Sequence, residues 1–208
     1  MTEAKGSSCK LCRREGEKLF LKGQRCVSDK CVIDKKPYVP GQRAKRRLMQ
    51  TEYYTQLREK QKAKRYYGVL ERQFRNYYKK AVRKKGVTGE VLLQMLETRL
   101  DSVIYMMGLA TSRAQARQLI NHGQIQVNGK KVDKPSYQLK EGDKVNISPS
   151  SKEIVPVLEA KESGSSLTIP EWLEVNLENL KGKVLRYPER DEIKAPINER
   201  IIVELYSK

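Results

Sequence analysis

An α+β fold is predicted for this chain: a short cysteine-bearing N-terminal segment, an all-helical domain, and a domain of helices packed on a small antiparallel β-sheet. Three observations carry it. All four cysteines fall within the first 31 positions, apolar residues then recur at helical spacing, and an alternating strand pattern broken by Asn128-Gly129 follows. At 208 residues, 38% apolar and 33% charged, the chain is long enough to bury a real core beneath a highly charged surface. No apolar run approaches the ~18–20 residues of a membrane span. The N-terminal MTEAKGSSCK lacks the apolar stretch of a secretory signal, so the expected compartment is the cytoplasm, where thiols stay reduced.

The cysteines form two short-spaced pairs, Cys9-x2-Cys12 and Cys26-x4-Cys31. Such pairs on either side of a loop resemble the two knuckles of a tetrahedral zinc site, because a short gap lets both thiolates turn toward one ion. The lone histidine, His122, is far away in sequence, so the expected ligands of Zn2+ are Cys9, Cys12, Cys26 and Cys31. A four-thiolate shell leaves no open position for water and is structural. The segment is too small for a core of its own, so metal binding would supply its folding energy. An iron–sulfur cluster is the second reading of the same ligands. The first element of the fold is therefore a zinc-bound segment with its linker, residues 1–42, ended by Pro37, Pro40 and Gly41.

The net charge of +18 is concentrated: residues 35–86 carry +15, residues 1–34 carry +3, and the rest sum to zero. Positive charge gathered in this way points to a polyanionic partner, and nucleic acid is the commonest. From Arg43 to Tyr67 there is no proline or glycine, and Tyr54, Leu57 and Gln61 fall at helical spacing. After Gly68 a second helix carries Leu70, Phe74, Tyr77, Tyr78 and Ala81 on one stripe, closing near Gly86. Tyr54, Tyr77 and Tyr78 are expected in the core, whereas Tyr66 and Tyr67 could reach a ribose or base. Arg43, Lys45, Arg46, Arg47, Lys62, Lys64, Arg65, Arg72, Arg75 and Lys79 are the candidate phosphate contacts of these helices, with Tyr67 beside them.

Thr88 to Gly108 reads as one helix, with Leu92, Leu96, Leu100, Val103 and Met107 on its buried stripe. Ser112 with Gln115 forms a capping box for the next helix, which Gly123 ends. Its inward face holds Ala116, Leu119 and Ile120, and Arg113, Arg117 and Asn121 repeat as a polar stripe facing away from that core. QIQVNGKKV is a strand, then a tight Asn-Gly turn; Glu141-Gly142-Asp143 turns again before Val145 and Ile147. Two helices thus pack on a small sheet, with a basic stripe beside its hairpin.

The stretch RLDSVIYMMGLATSRAQARQLINHGQIQVNGKKVDKPSY resembles the RNA-binding module named after bacterial small-subunit ribosomal protein four. QLREKQKAKRYYGVLERQFRNYYKKA upstream, PEWLEVN and the YPERDEI and INERIIVELYSK stretches downstream, and the four-cysteine start are similar to that ribosomal protein family over nearly the whole chain. The resemblance implies a 16S-type ribosomal RNA binder that docks at a junction in the 5′ domain and nucleates assembly. It also implies a place near the path by which messenger enters, contact with small-subunit protein five and other 30S proteins, an influence on accuracy, and repression of its own messenger. It marks Arg99, Arg113, Arg117, Asn121, Gln124, Asn128, Lys130 and Lys131 as module contacts. Met106 and Gln124 depart from the family's frequent arginine and histidine. Pro156 breaks the helix that Ser150 and Glu153 would begin. Trp172–Leu177 and Lys183–Tyr187 read as strands extending the sheet, with Trp172 in the core. The family implies a short helix over 201–206 that returns to the helical domain. Residues 43–98 with 194–208 then form the helical domain, and 99–193 the α/β domain.

An enzyme is not expected, nor a small-molecule substrate or a membrane partner. Arg99-Leu100-Asp101 matches three residues of a pseudouridine synthase motif, but no separate catalytic domain follows. A single histidine and the absence of GxxxxGK[ST] leave no acid–base or nucleotide machinery.

Overall fold

The structure, a computed structural model, describes residues 7–41, 51–164 and 168–207. Two compact units are present: Met1–Leu92 with Ala195–Lys208, and Leu93–Lys194.

In the first unit, α1 (Ser8–Glu15) ends at Gly16 in the left-handed conformation, and the short α2 (Val32–Lys35) follows the cysteine loop. Helix α3 (Glu52–Tyr67) begins at Thr51, whose side chain accepts the Tyr54 N–H, and ends at left-handed Gly68. Helix α4 (Glu71–Val82) buries Phe74, Tyr77 and Ala81 as the stripe predicts. Leu70, expected on that stripe, is instead the residue before the first turn and is exposed. The C-terminal α9 (Glu199–Ser207) packs along α3. Its Tyr206 ring stacks on Tyr78 at 4.6 Å and Phe74 at 6.4 Å, and the Asn198 N–H donates to Glu59 at 2.7 Å. The 201–206 segment is thus helical, as the resemblance implies.

The chain passes into the second unit within α5 (Thr88–Glu97). Here the single helix expected from Thr88 to Gly108 is two: α6 (Leu100–Met106) starts anew after an extended Arg99. The break has a tertiary cause. Thr98, Leu100 and Asp101 turn their backbone groups to a neighbouring segment: the Leu139 N–H donates to Thr98, the Leu100 N–H to Tyr137, and the Asp101 N–H to Pro135. Helix α7 (Arg113–Asn121) starts at Ser112, whose hydroxyl accepts the Gln115 N–H. The expected capping box is incomplete, because the Gln115 side chain accepts from the backbone N–H and hydroxyl of Thr111.

The sheet is antiparallel, in the order β2-β1-β3-β5-β4, with β1 Ile125–Val127, β2 Lys130–Lys131, β3 Lys144–Ile147, β4 Leu173–Asn176 and β5 Lys181–Val184. Asn128 (φ 51°) and Gly129 (φ 78°) both take positive φ, as a two-residue hairpin turn demands. Gly182 lets β5 approach α6, since a Cβ there would lie 2.6 Å from the Met107 sulfur. The core between helices and sheet gathers Val103, Ile104, Met107, Leu119, Ile120, Ile125, Val145, Ile147 and Val184, with Trp172 buried in it. Helix α8 (Val155–Gly164) begins later than Ser150 and carries Pro156 at its second position, in the first turn, where no N–H is needed.

Candidate nucleic-acid interface and metal centre

The cysteines come from three local structures. Cys9 and Cys12 lie one turn apart on α1, Cys26 ends the 3-10 turn Gly23–Cys26, and Cys31 precedes α2. Cys12, Cys26 and Cys31 are buried, all four are free thiols, and all four line one cavity with Leu21 and Ile33. The Lys22 N–H donates to the Cys26 sulfur at 3.3 Å. Burial pushes the Cys12 and Cys26 thiols up, and charge on the neighbouring cysteines pushes the same way; the Leu19 and Lys22 amides oppose it. A cation among these sulfurs would supply the missing countercharge, so the donor set fits a thiophilic metal. Among the described residues no three or more Cys, His, Asp or Glu side chains are disposed as a coordinating group. The fold gathers the thiols without setting coordination geometry.

Helix α3 uses its cations inside the molecule. The Glu15 carboxylate, its side chain 2% exposed at the end of α1, accepts from both Arg58 and Arg65. Lys62 pairs with Glu59 at 3.0 Å and Glu17 at 3.3 Å, and Lys64 with Glu71 at 2.6 Å. Of the expected phosphate contacts, Lys62, Lys64 and Arg65 are therefore already engaged by carboxylates of the same unit. Tyr67 is 1% exposed and belongs to the core, packed edge-on against Tyr66. Tyr66 itself packs on the cluster of Cys12, Leu19, Cys31 and Ile33. Arg72, Arg75 and Lys79 remain exposed along the outer face of α4. Arg43, Lys45, Arg46 and Arg47 lie outside the described residues.

The polar stripe on α7 also faces differently from expectation. Arg113 is buried; its Nε donates to the Ser102 hydroxyl at 3.2 Å, its Nη2 lies 3.8 Å from Glu97, and its guanidinium stands 4.6 Å over the Tyr105 ring. Asp101, with no exposed surface, accepts from Arg99 and from Arg117, each at 2.7 Å to Oδ2. Arg99 and Arg113 are thus interior residues, and Arg117 reaches outward only in part. The physical reason is the helix break: it brings Glu97, Asp101 and Ser102 beneath α7, where each needs a charged or hydroxyl partner.

Around the hairpin, Asn128 is occupied locally: its Nδ2 donates to Asp143 at 2.8 Å and its Oδ1 accepts the Lys144 N–H at 2.9 Å. Lys130 and Lys131 are exposed, the latter lying across Gly123. Asn121 and Gln124 are half-buried, and among the described residues the buried Gln124 Oε1 accepts no hydrogen bond. Sequence reasoning missed the carboxylates Glu15, Glu71, Glu97 and Asp101. Only Asp101, two residues from Arg99, carried a local signal.

The family model described as ribosomal protein S4/S9 N-terminal domain matches residues 3–97, and the S4 domain model matches residues 98–145. The chain is 58% identical over 209 residues to small ribosomal subunit protein uS4 of Natranaerobius thermophilus. It is 55% identical to that of Dictyoglomus turgidum and 54% identical to that of Acetivibrio thermocellus, each over 208 residues. All three similarities span the whole of both chains.

Proposed function

The chain belongs to the family of small ribosomal subunit protein uS4, and from that premise we propose how it works as a structural, non-enzymatic constituent of the small subunit bound to ribosomal RNA in the cytoplasm. The observation that carries the RNA reading is the exposed cationic face of α4, where Arg72, Arg75 and Lys79, among the described residues, make no ion pair of the kind that occupies α3. Such contacts give affinity and orientation, and little sequence choice. In this reading the chain is a primary binder of 16S-type RNA at a junction of the 5′ domain and nucleates assembly there. It lies near the path by which messenger enters, and it influences accuracy with small-subunit protein five. Titration of the unaltered chain against small-subunit RNA should give a log–log salt slope corresponding to roughly 6–10 phosphates. A slope near zero would remove the reading.

Cys9, Cys12, Cys26 and Cys31 would hold one Zn2+, which when bound supplies folding energy to the N-terminal segment and no open coordination site. The shared cavity and the hydrogen bond from the Lys22 N–H to Cys26 support this. Metal analysis of the purified chain should find one zinc per molecule; iron with visible absorption would replace zinc by an iron–sulfur cluster. Repression of its own messenger is a second role for the same basic surface. Comparison of affinities for ribosomal and messenger RNA at one salt concentration tests which target is primary.

A further inference from the structure

The outward face of the five-stranded sheet holds three lysines, Lys144, Lys181 and Lys183, that neither the helical interface nor the hairpin reading uses, beside Lys131 of the hairpin. Strand alternation turns Val127, Val145, Ile147 and Val184 into the core, and sends Gln126, Lys144, Asn146, Lys181 and Lys183 to the opposite side. The register places these groups in two rows. One runs Lys131, Gln126, Asn146, Lys181 across β2, β1, β3 and β5, and the other sets Lys144 directly opposite Lys183. Like charges directly opposite across a strand pair repel each other and destabilise the sheet. Among the described residues Lys131, Lys144, Lys181 and Lys183 make no ion pair that would relieve it. Glu174, opposite Lys183 on edge strand β4, is the carboxylate nearest in register. Within the first row the Asn146 side-chain amide donates to the Gln126 side-chain carbonyl at 3.0 Å, so the surface between Lys131 and Lys181 is polar.

We propose that this sheet face is a second RNA-binding surface, which takes a run of phosphates through Lys131, Lys144, Lys181 and Lys183. The proposal rests on the RNA-binding reading above and extends it to a face built by a different unit of the fold. From β2 to β5 the lysines span three strand spacings, about 14 Å. That width suits a stretch of backbone better than one isolated anion. The rows carry no aromatic side chain on which a base could stack, so the interaction is electrostatic, salt-dependent and indifferent to sequence. A polyanion would also remove the repulsion between Lys144 and Lys183 that the free protein sustains.

The test is the full chain carrying K144A, K181A and K183A, titrated with small-subunit RNA across a range of salt beside the unaltered chain. The slope of log affinity against log salt should fall by about three, one for each lysine withdrawn from a phosphate. Affinity should fall at least tenfold at ~0.15 M salt, where screening of exposed charge is already strong. Circular dichroism checks that the variant is folded. The matched K144Q, K181Q, K183Q chain keeps the side-chain stems over the sheet and should show the same loss. An unaltered chain that does not bind would remove the RNA reading and this inference together. An unaltered chain that binds, beside folded variants with unchanged slope and affinity, would overturn this inference alone and leave the face to an acidic protein surface.

Discussion

Asp101 has no exposed surface, yet it is held between Arg99 and Arg117, while Arg113 reaches Ser102 and Glu97 beside it. A buried charge is tolerable only while its partners remain, and removing one partner costs far more than the pair is worth. Asp101→Ala should therefore lower stability by roughly 3–5 kcal/mol, read from the midpoint of urea unfolding. For the same reason an Arg113→Ala, Arg117→Ala chain should lose stability along with any RNA affinity, although the sequence alone places both residues on an open stripe. Glu71 behaves differently. Partial burial would raise its carboxyl, but hydrogen bonds from Lys64 and Lys60 prevail and hold it down to about 2. An unfolded glutamate titrates near ~4.3, so between that value and about 2 the unfolded chain takes up the proton first. The stabilisation is present above the unfolded value and is lost as pH falls toward 2. Glu71→Gln should flatten that acid limb in unfolding curves taken between pH 5 and 2. The effect is modest, because the side chain is 46% exposed and water screens the pair.

Among the elements, α3 and α4 divide the basic segment between them. On α3 the cations fasten the cysteine segment and α4 in place through Glu15, Glu17 and Glu71. On α4, Arg72, Arg75 and Lys79 are left for the solvent face. Replacing those three by alanine should lower the salt slope of RNA binding by about three with little change in melting temperature. The cysteine segment should respond to its own chemistry. Cys9→Ser should abolish binding of the proposed zinc and speed hydrogen exchange over residues 7–36, leaving exchange in 93–194 unchanged; loss of all protection would show that the segment is no local device. Many of these elements are legible in the sequence. Ser112 starts a helix, Asn128-Gly129 makes the hairpin, and the spacing of Phe74, Tyr77 and Ala81 gives the buried stripe of α4, because each depends on neighbours in sequence. The break at Arg99 is not legible, since Leu96, Leu100 and Val103 continue a helical period straight through it. What stops the helix is backbone hydrogen bonding to residues 135–139, which no local pattern encodes. The pairing of Glu15 with Arg58 and Arg65, 43 and 50 positions away, is illegible for the same reason.

Over the whole molecule, charge and topology follow different boundaries. The excess positive charge lies in one stretch of sequence, whereas the first compact unit needs both that stretch and residues 195–208. The second unit, 93–194, is a single uninterrupted run. That asymmetry sets an order of synthesis. As the chain emerges, 93–194 holds everything its own core requires before the last helix exists, and domains commonly fold as units during translation. The helical unit, though begun first, must wait: until residue 206 is made, Phe74 and Tyr78 lack the ring they stack on, and Glu71 lacks the Tyr206 hydroxyl. A chain halted before α9 would carry a finished sheet unit while the helical unit still lacked the ring that Phe74 and Tyr78 stack on.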